Sequence, residues 1–508
     1  MDSETLKWQV GQRFVTGFPG LEMDGEFKEL VRRWKIGNII LFSRNLSGKD
    51  QIANLCGEIA ALVLKETGTI PWIMIDQEGG MVSRLPSDCA VAPSQMALAA
   101  LGDTKAVYRS ALLTAKELKA LGCNVNLAPV LDVNSNPKNP VIGIRSFSSD
   151  AKEVARFAQY AISGFMDGGV LCCGKHFPGH GDTTVDSHLS LPKVDKSKEE
   201  LQDQLYPFKE AIRDGIPSIM SSHVLFPAYE KGNYPCTMSR SIITGLLREG
   251  LGFKGLVFSD CMEMQAIASY YGTENGCSYA LHAGIDQVLV SHHADIAAKA
   301  MEKVICEFQD GLFDQKEWDA SLARIALWKK KIADTPASSV PENAKAELNG
   351  YAARSITLVS GTIPPLPVNP LWIAPEAFIT SNIQDKIAIA DYAHYLASHL
   401  GGDALVISAN PDETEIRNVV EKAKGRQVYL GTYNGHLQRG QIRLAEALVK
   451  EGVSLVVTAL RNPFDLSTLK GKATCIAAWE YSMRIFDALE NVYRGQMVLG
   501  TRMPVELE

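Results

Sequence analysis

VLCCGKH, residues 170–176, is a short apolar run that ends on two polar side chains, Lys175 and His176. Five apolar or small residues in succession do not suit a half-solvated strand. They read as a strand of a parallel sheet, covered on both faces. The same form recurs along the chain: residues 72–76 end on Asp76, residues 218–223 on His223 and residues 256–260 on Asp260. Further apolar runs occupy 13–17, 36–42, 123–128 and 287–291. Between most of these lie stretches of helical period, at 50–66, 104–121, 150–166, 198–213, 239–249, 293–308 and 315–332. Several have an acidic or hydroxyl residue near their start, as an N-cap would. Eight strands alternating with helices predict a (β/α)8 barrel, although a doubly wound open sheet has the same alternation. The polar strand ends favour the barrel. A barrel gathers its C-terminal strand ends into one mouth, whereas an open sheet spreads them along an edge.

Residues 1–335 are therefore expected to form an α/β barrel domain of TIM type. The stretch 336–350 is rich in Ala, Pro and Ser and reads as a linker. From 351 to 508 the alternation resumes, with strand candidates at 404–408, 427–430, 454–458 and 473–478 and helices at 412–424 and 437–450. This predicts a second, smaller α/β domain with a mainly parallel sheet. The composition is that of an ordinary globular protein, 46% apolar and 21% charged over 508 residues. A net charge of −7 gives no electrostatic reason to bind nucleic acid or an anionic membrane. No apolar run reaches the ~20 residues that span a bilayer. The start of the chain lacks the pattern of a signal peptide, and the ten cysteines are scattered without a CxxC pair. A cytoplasmic protein with free, mostly buried thiols is the expectation.

The segment most dense in chemistry leaves the quoted strand: GKHFPGHGDTTVDSHLSLP, residues 174–192. Its first fifteen residues hold one Lys, three His and two Asp, in a loop punctuated by glycines and prolines. Two chemistries suit it. His176, His180, Asp182, Asp186 and His188 offer N and O ligands to a metal. Alternatively, Asp186 and His188, two apart and on one face of an extended segment, form an acid–base pair in which the carboxylate sets the imidazole tautomer. Asp260 ends an apolar strand, where a carboxylate either caps the next helix or does chemistry. Asp76 stands likewise before Gly79 and Gly80, which let the backbone turn tightly.

Four segments carry a family resemblance: IDQEGGMVSRLP (75–86), NLAPVLDVN with NPVIGIRSF (126–134 and 139–147), the loop 174–192, and FSDCMEM (258–264). In these, and over roughly residues 10–335, the chain is similar to glycoside hydrolase family 3, in its bacterial β-N-acetylglucosaminidase branch. The second domain resembles the α/β sandwich domain of two-domain members more loosely, best at GTRMPV (500–505). The resemblance implies a retaining β-N-acetylglucosaminidase without cofactor or metal. It would release terminal N-acetylglucosamine from β-linked glycosides such as peptidoglycan fragments. It makes Asp260 the nucleophile and His188 the general acid/base, paired with Asp186. Asp76, Arg84, Arg145, Lys175 and His176 would hold the sugar hydroxyls and N-acetyl group. One departure is Met81, where the family usually has Arg, while Arg84 is kept. His180 and Asp182 would shape the loop. The alternatives are a metal-dependent barrel hydrolase, a silent sugar-binding protein, a β-glucosidase of the same family, and phosphorolysis of the same substrate. The last follows because a spent, neutral His188 would not repel a phosphate acceptor as a carboxylate would.

Overall fold

All eight predicted strands of the first domain form, and they close into a parallel barrel in sequence order. They are β1 (Phe14–Thr16), β2 (Asn38–Leu41), β3 (Trp72–Ile75), β4 (Val125–Asn126), β5 (Leu171–Phe177), β6 (Ser218–Ser221), β7 (Leu256–Cys261) and β8 (Gln287–Val290). The computed structural model describes residues 2–184, 190–336, 338–376 and 391–507. The expected acid/base pair Asp186 and His188 lies outside the described residues.

Strand parity explains how continuous apolar runs make this barrel. Val15, Ile40, Trp72, Met74, Val125, Leu171, Cys173, Met220, Leu256, Phe258 and Leu289 form the interior cluster. Their neighbours Phe14, Ile39, Leu41, Ile73, Ile75, Cys172, Ile219, Val257, Val288 and Val290 belong to a second cluster, packed against the surrounding helices. Each strand is apolar on both faces because both are buried. Ile325 and Ile332 of the helix Gln315–Ala333 join the interior cluster. Lys329 of the same helix donates to Gln12 Oε1 (2.9 Å) and to the Gly37 carbonyl (3.0 Å). Those partners precede β1 and β2, so this helix closes the floor of the barrel.

The second domain is a six-stranded sheet of β9 (Thr357–Ser360), β10 (Leu371–Pro375), β11 (Asp403–Ile407), β12 (Gln427–Thr432), β13 (Ser454–Ala459) and β14 (Thr474–Ala477). Its order is β11-β10-β12-β13-β14-β9, and β9 runs antiparallel to β14 while the other pairs are parallel. The stretch 336–350 is not wholly irregular. Ala344–Ser355 is a helix, because the Ala, Glu, Lys and Leu that follow Pro341 are good helix formers and outweigh the Pro/Ser character of what precedes them. The barrel and the sheet share packing. Met96, Ala97 and Ala100 of the helix Gln95–Ala100, together with Ile144, belong to one core cluster of the second domain. Arg484 donates to the carbonyls of Val91 (2.5 Å) and Ala92 (3.0 Å), and Ser148 Oγ to that of Pro504 (2.5 Å).

Candidate active site

Inward parity, continued one step past the apolar interior, sets the chemistry of the barrel mouth. Trp72 and Met74 face inward, and so the next inward position of that strand is Asp76. By the same count Leu171 and Cys173 lead to Lys175, and Leu256 and Phe258 lead to Asp260. These three line a cavity of about 450 Å³ together with Phe42, Arg44, Arg84, His176, Cys261, Glu263 and His292, among others. Of the residues that the motifs single out, the structure therefore brings together Asp76, Arg84, Lys175, His176 and Asp260.

Lys175 is the hub of a buried charge network. It donates to Asp76 Oδ1 (2.6 Å) and pairs with Glu78 Oε1 (2.7 Å). Burial alone would push its pKa down, but Asp76 and Glu78 outweigh it and hold the ammonium above its ordinary value. Glu78 is also buried, yet Arg145 and Lys175 hold it well below the usual carboxylate range. Arg145 grips both Glu78 oxygens, through Nε and Nη2, at 2.8 Å each. Its side chain is 1% exposed and stands one layer behind the cavity wall. His176 Nδ1 meets Asp132 Oδ2 at 2.7 Å, and its Nε2 lies 3.4 Å from Arg145 Nη2. A carboxylate only accepts and a guanidinium only donates, so this ring carries its proton on Nδ1. Burial would raise the Asp132 carboxyl, but His176 and His180 overcome that and hold it low.

The loops are built to present these groups. After Asp76 the chain turns back on Gly79 and Gly80, both at positive φ. A Cβ on Gly79 would stand 2.5 Å from the Pro93 carbonyl. Gln77 Oε1 accepts from the backbone of Arg84 (2.9 Å) and Leu85 (3.2 Å), which returns Arg84 to the cavity. Gly181 seats the next loop: a Cβ there would fall 1.7 Å from the Val133 carbonyl. His180 Nδ1 lies 2.9 Å from Thr183 Oγ1, and Asp182 pairs with Lys196 at 2.9 Å. Both side chains hold the loop, as expected. Burial, with His176 beside it, holds His180 down at about 4. His223 is fully buried and does not line the cavity. Its Nε2 lies 3.0 Å from the Cys261 carbonyl and so braces the strand end that bears Asp260.

Sequence reasoning named neither Glu78 nor Asp132, although both stand just beyond strand ends, inside segments already quoted. It also missed Arg44, Glu263 and His292. Cys261 is a protonated thiol, pushed up to about 12 by burial and by Glu263. Among the described residues, Cys261, Glu263 and His292 form the one group placed to hold a metal.

The model of the glycosyl hydrolase family 3 N-terminal domain matches residues 5–327. β-Hexosaminidase A of Pseudoalteromonas piscicida is 36% identical over 347 residues, 63% of this chain and 57% of that protein. The chain thus spans less than two thirds of that relative's length. A glycoside hydrolase family 3 β-N-acetylglucosaminidase from Paenibacillus sp. FPU-7 is 37% identical, with a TM-score of 0.91 over 99% of both chains. NagZ of Neisseria gonorrhoeae, solved in complex with N-trifluoroacetyl-D-glucosamine, is 29% identical, with a TM-score of 0.53 over 62% of this chain and 97% of that one.

Proposed function

Since the chain belongs to glycosyl hydrolase family 3, we propose that it is a retaining β-N-acetylglucosaminidase, releasing terminal non-reducing N-acetylglucosamine from β-linked glycosides. The observation that carries this reading is the barrel mouth itself, where Asp260 shares one cavity with the Lys175–Asp76 pair, Arg84 and His176.

In the first half-reaction, Asp260 attacks the anomeric carbon as the bond to the leaving oxygen breaks, giving a glycosyl ester. His188, oriented by Asp186, gives its proton to that oxygen. In the second half, His188 takes a proton from water, the hydroxide adds at the anomeric carbon, and the Asp260 carboxylate departs. The roles of His188 and Asp186 rest on the sequence motif. Lys175, held as a cation, uses two of its three donors on Asp76 and Glu78 and keeps one for a sugar hydroxyl. Asp76, Arg84 and His176 complete the polar lining, and Arg145 acts through Glu78 and His176.

The same architecture supports the substrate class. A relative holds an N-acylated glucosamine, and all ten cysteines here are free, as suits a reducing cytoplasm. Cell-wall fragments brought into that compartment are the natural substrates we propose. No helix of the described residues is long and apolar enough to cross a membrane.

The deciding experiment compares 4-nitrophenyl N-acetyl-β-glucosaminide with the β-glucoside. A site that hydrogen-bonds the acetamido group leaves its own buried groups unpaired without it, so a preference of at least ~100-fold is expected. Equal turnover of the two would overturn the assignment.

A further inference from the structure

Cys261, Glu263 and His292 converge on the wall of the catalytic cavity. One sulfur, one carboxylate oxygen and one imidazole nitrogen from these residues lie within 4.8 Å of one another, and all three residues line the cavity. Topology produces the meeting. β7 and β8 are paired neighbours, with Cys261 in register with Leu289. Cys261 ends β7, Glu263 follows two residues on, and His292 follows β8.

We propose that these three side chains form a Zn²⁺ site through which zinc blocks the enzyme. None of them has a role in the hydrolysis described above. In a tetrahedral zinc site with Zn–S of about 2.3 Å and Zn–N or Zn–O of about 2.0–2.2 Å, ligand atoms sit roughly 3.3–3.8 Å apart. The Cys261 sulfur is already 3.9 Å from Glu263 Oε2. A thiol, a carboxylate and an imidazole together suit zinc better than magnesium or calcium, which take oxygen ligands. The carboxylate is also held in place. Glu263 accepts from the backbone of His292 (2.7 Å) and His293 (3.1 Å), and its Oε1 lies 2.6 Å from His293 Nδ1. Such outer contacts fix the orientation of a ligand before the metal arrives.

Three protein ligands leave a fourth position, which faces the cavity that the sugar would fill. On binding, Cys261 gives its thiol proton to solvent and the thiolate takes the metal. One proton is released per zinc, and the thiolate and carboxylate together balance the two charges of the ion.

Arg44 sets the strength of the site. Its Nη1 is 3.1 Å from His292 Nδ1, while Nε and Nη2 donate to the carbonyls of Phe18 and Ser291 at 3.0 Å. The guanidinium is thereby pinned beside the metal position. It opposes a cation there and competes for the imidazole. The site is weakened accordingly, which makes it a brake on the enzyme and not a structural centre.

The inhibition rests on the reading of this cavity as the catalytic site, whereas the binding does not, so the two are measured separately. Calorimetry with zinc should give one ion per chain. Cadmium should raise a thiolate-to-metal absorption band, lost in Cys261→Ser and kept in Cys306→Ser, which removes the exposed thiol. Zinc affinity should fall at least ~10-fold in Cys261→Ser and in His292→Ala, and rise about as much in Arg44→Gln. Zinc should compete with the aryl glycoside, each variant being compared with its own chelator-treated rate. A cadmium band that survives Cys261→Ser, or zinc affinity unmoved by His292→Ala, overturns the site. Binding that follows these residues without competing with substrate overturns the blocking role. A chain without glycosidase activity that still binds zinc through these residues would leave the site standing and fault the functional reading alone.

Discussion

Asp260 and Glu78 are both acidic residues of the barrel mouth, and they answer substitution in different ways. Asp260→Asn removes the carboxylate proposed to attack, and kcat should fall at least ~10³-fold with little change in thermal midpoint. Retention of most activity, or a fluorinated sugar trapped on another residue, would remove Asp260 from its role. Glu78→Gln leaves Lys175 and Arg145 as buried cations facing a neutral amide. Stripping one partner from a buried ionic cluster costs about 3–5 kcal/mol, so this variant should lose stability and sugar affinity together. Normal melting with only a kcat defect would show Glu78 to be dispensable to the network. The contrast also marks what was legible in the chain. Asp260, Asp76 and Lys175 end apolar strands, and their positions can be read from the run that precedes them. Glu78 and Asp132 lie beyond the ends of β3 and β4, outside the apolar runs that mark those strands, and their importance comes from partners distant in sequence: Arg145 and Lys175 for the one, His176 for the other.

The loop after β5 carries a pH response of its own. His180 stays neutral in the folded protein down to about 4, whereas an unfolded imidazole titrates near ~6.5. Between those values the unfolded chain binds a proton that the folded chain does not. Stability is therefore fully present above ~6.5 and is lost as pH falls toward the folded value, by roughly 3 kcal/mol from this one group. Melting curves from neutral pH to ~4.5 should show the decline, and His180→Asn, which keeps a partner for Thr183, should flatten it. An unchanged slope in that variant would place the acid sensitivity elsewhere. At this scale the strands were readable from their apolar runs, all eight in the barrel and four of six in the second sheet. β10 escaped notice because Pro370 precedes it and Pro375 ends it, and β9 because Gly361, Pro364 and Pro365 follow it closely. The helix Ala344–Ser355 was hidden by the Pro/Ser stretch before it. The loop's dependence on Gly181 lay beyond any local pattern, because the Val133 carbonyl that demands it comes from the loop after β4.

The two domains are expected to melt as one. Met96, Ala97, Ala100 and Ile144 belong to the barrel in sequence and to the second sheet in packing. Calorimetry of the whole chain should give a single transition. Met96→Asp, which places an unpaired carboxylate in that shared core, should lower the midpoint of the entire chain by several kcal/mol's worth of stability. Two resolved transitions, only one of them shifted, would show the cores to be independent. Sequence reading could separate the domains by composition but could not see that they share a core, since nothing local distinguishes an alanine facing its own barrel from one facing its neighbour. The helix Gln315–Ala333 has a consequence at the same scale. With its floor stoppered, the barrel is a vessel whose traffic passes through the mouth. In the proposed reaction the sugar would lie deepest, so the departing aglycone would have to clear the doorway before an acceptor could come in. Crowding that doorway with alcohols should divert the sugar onto them, and free N-acetylglucosamine, last out, should be what slows the next arrival.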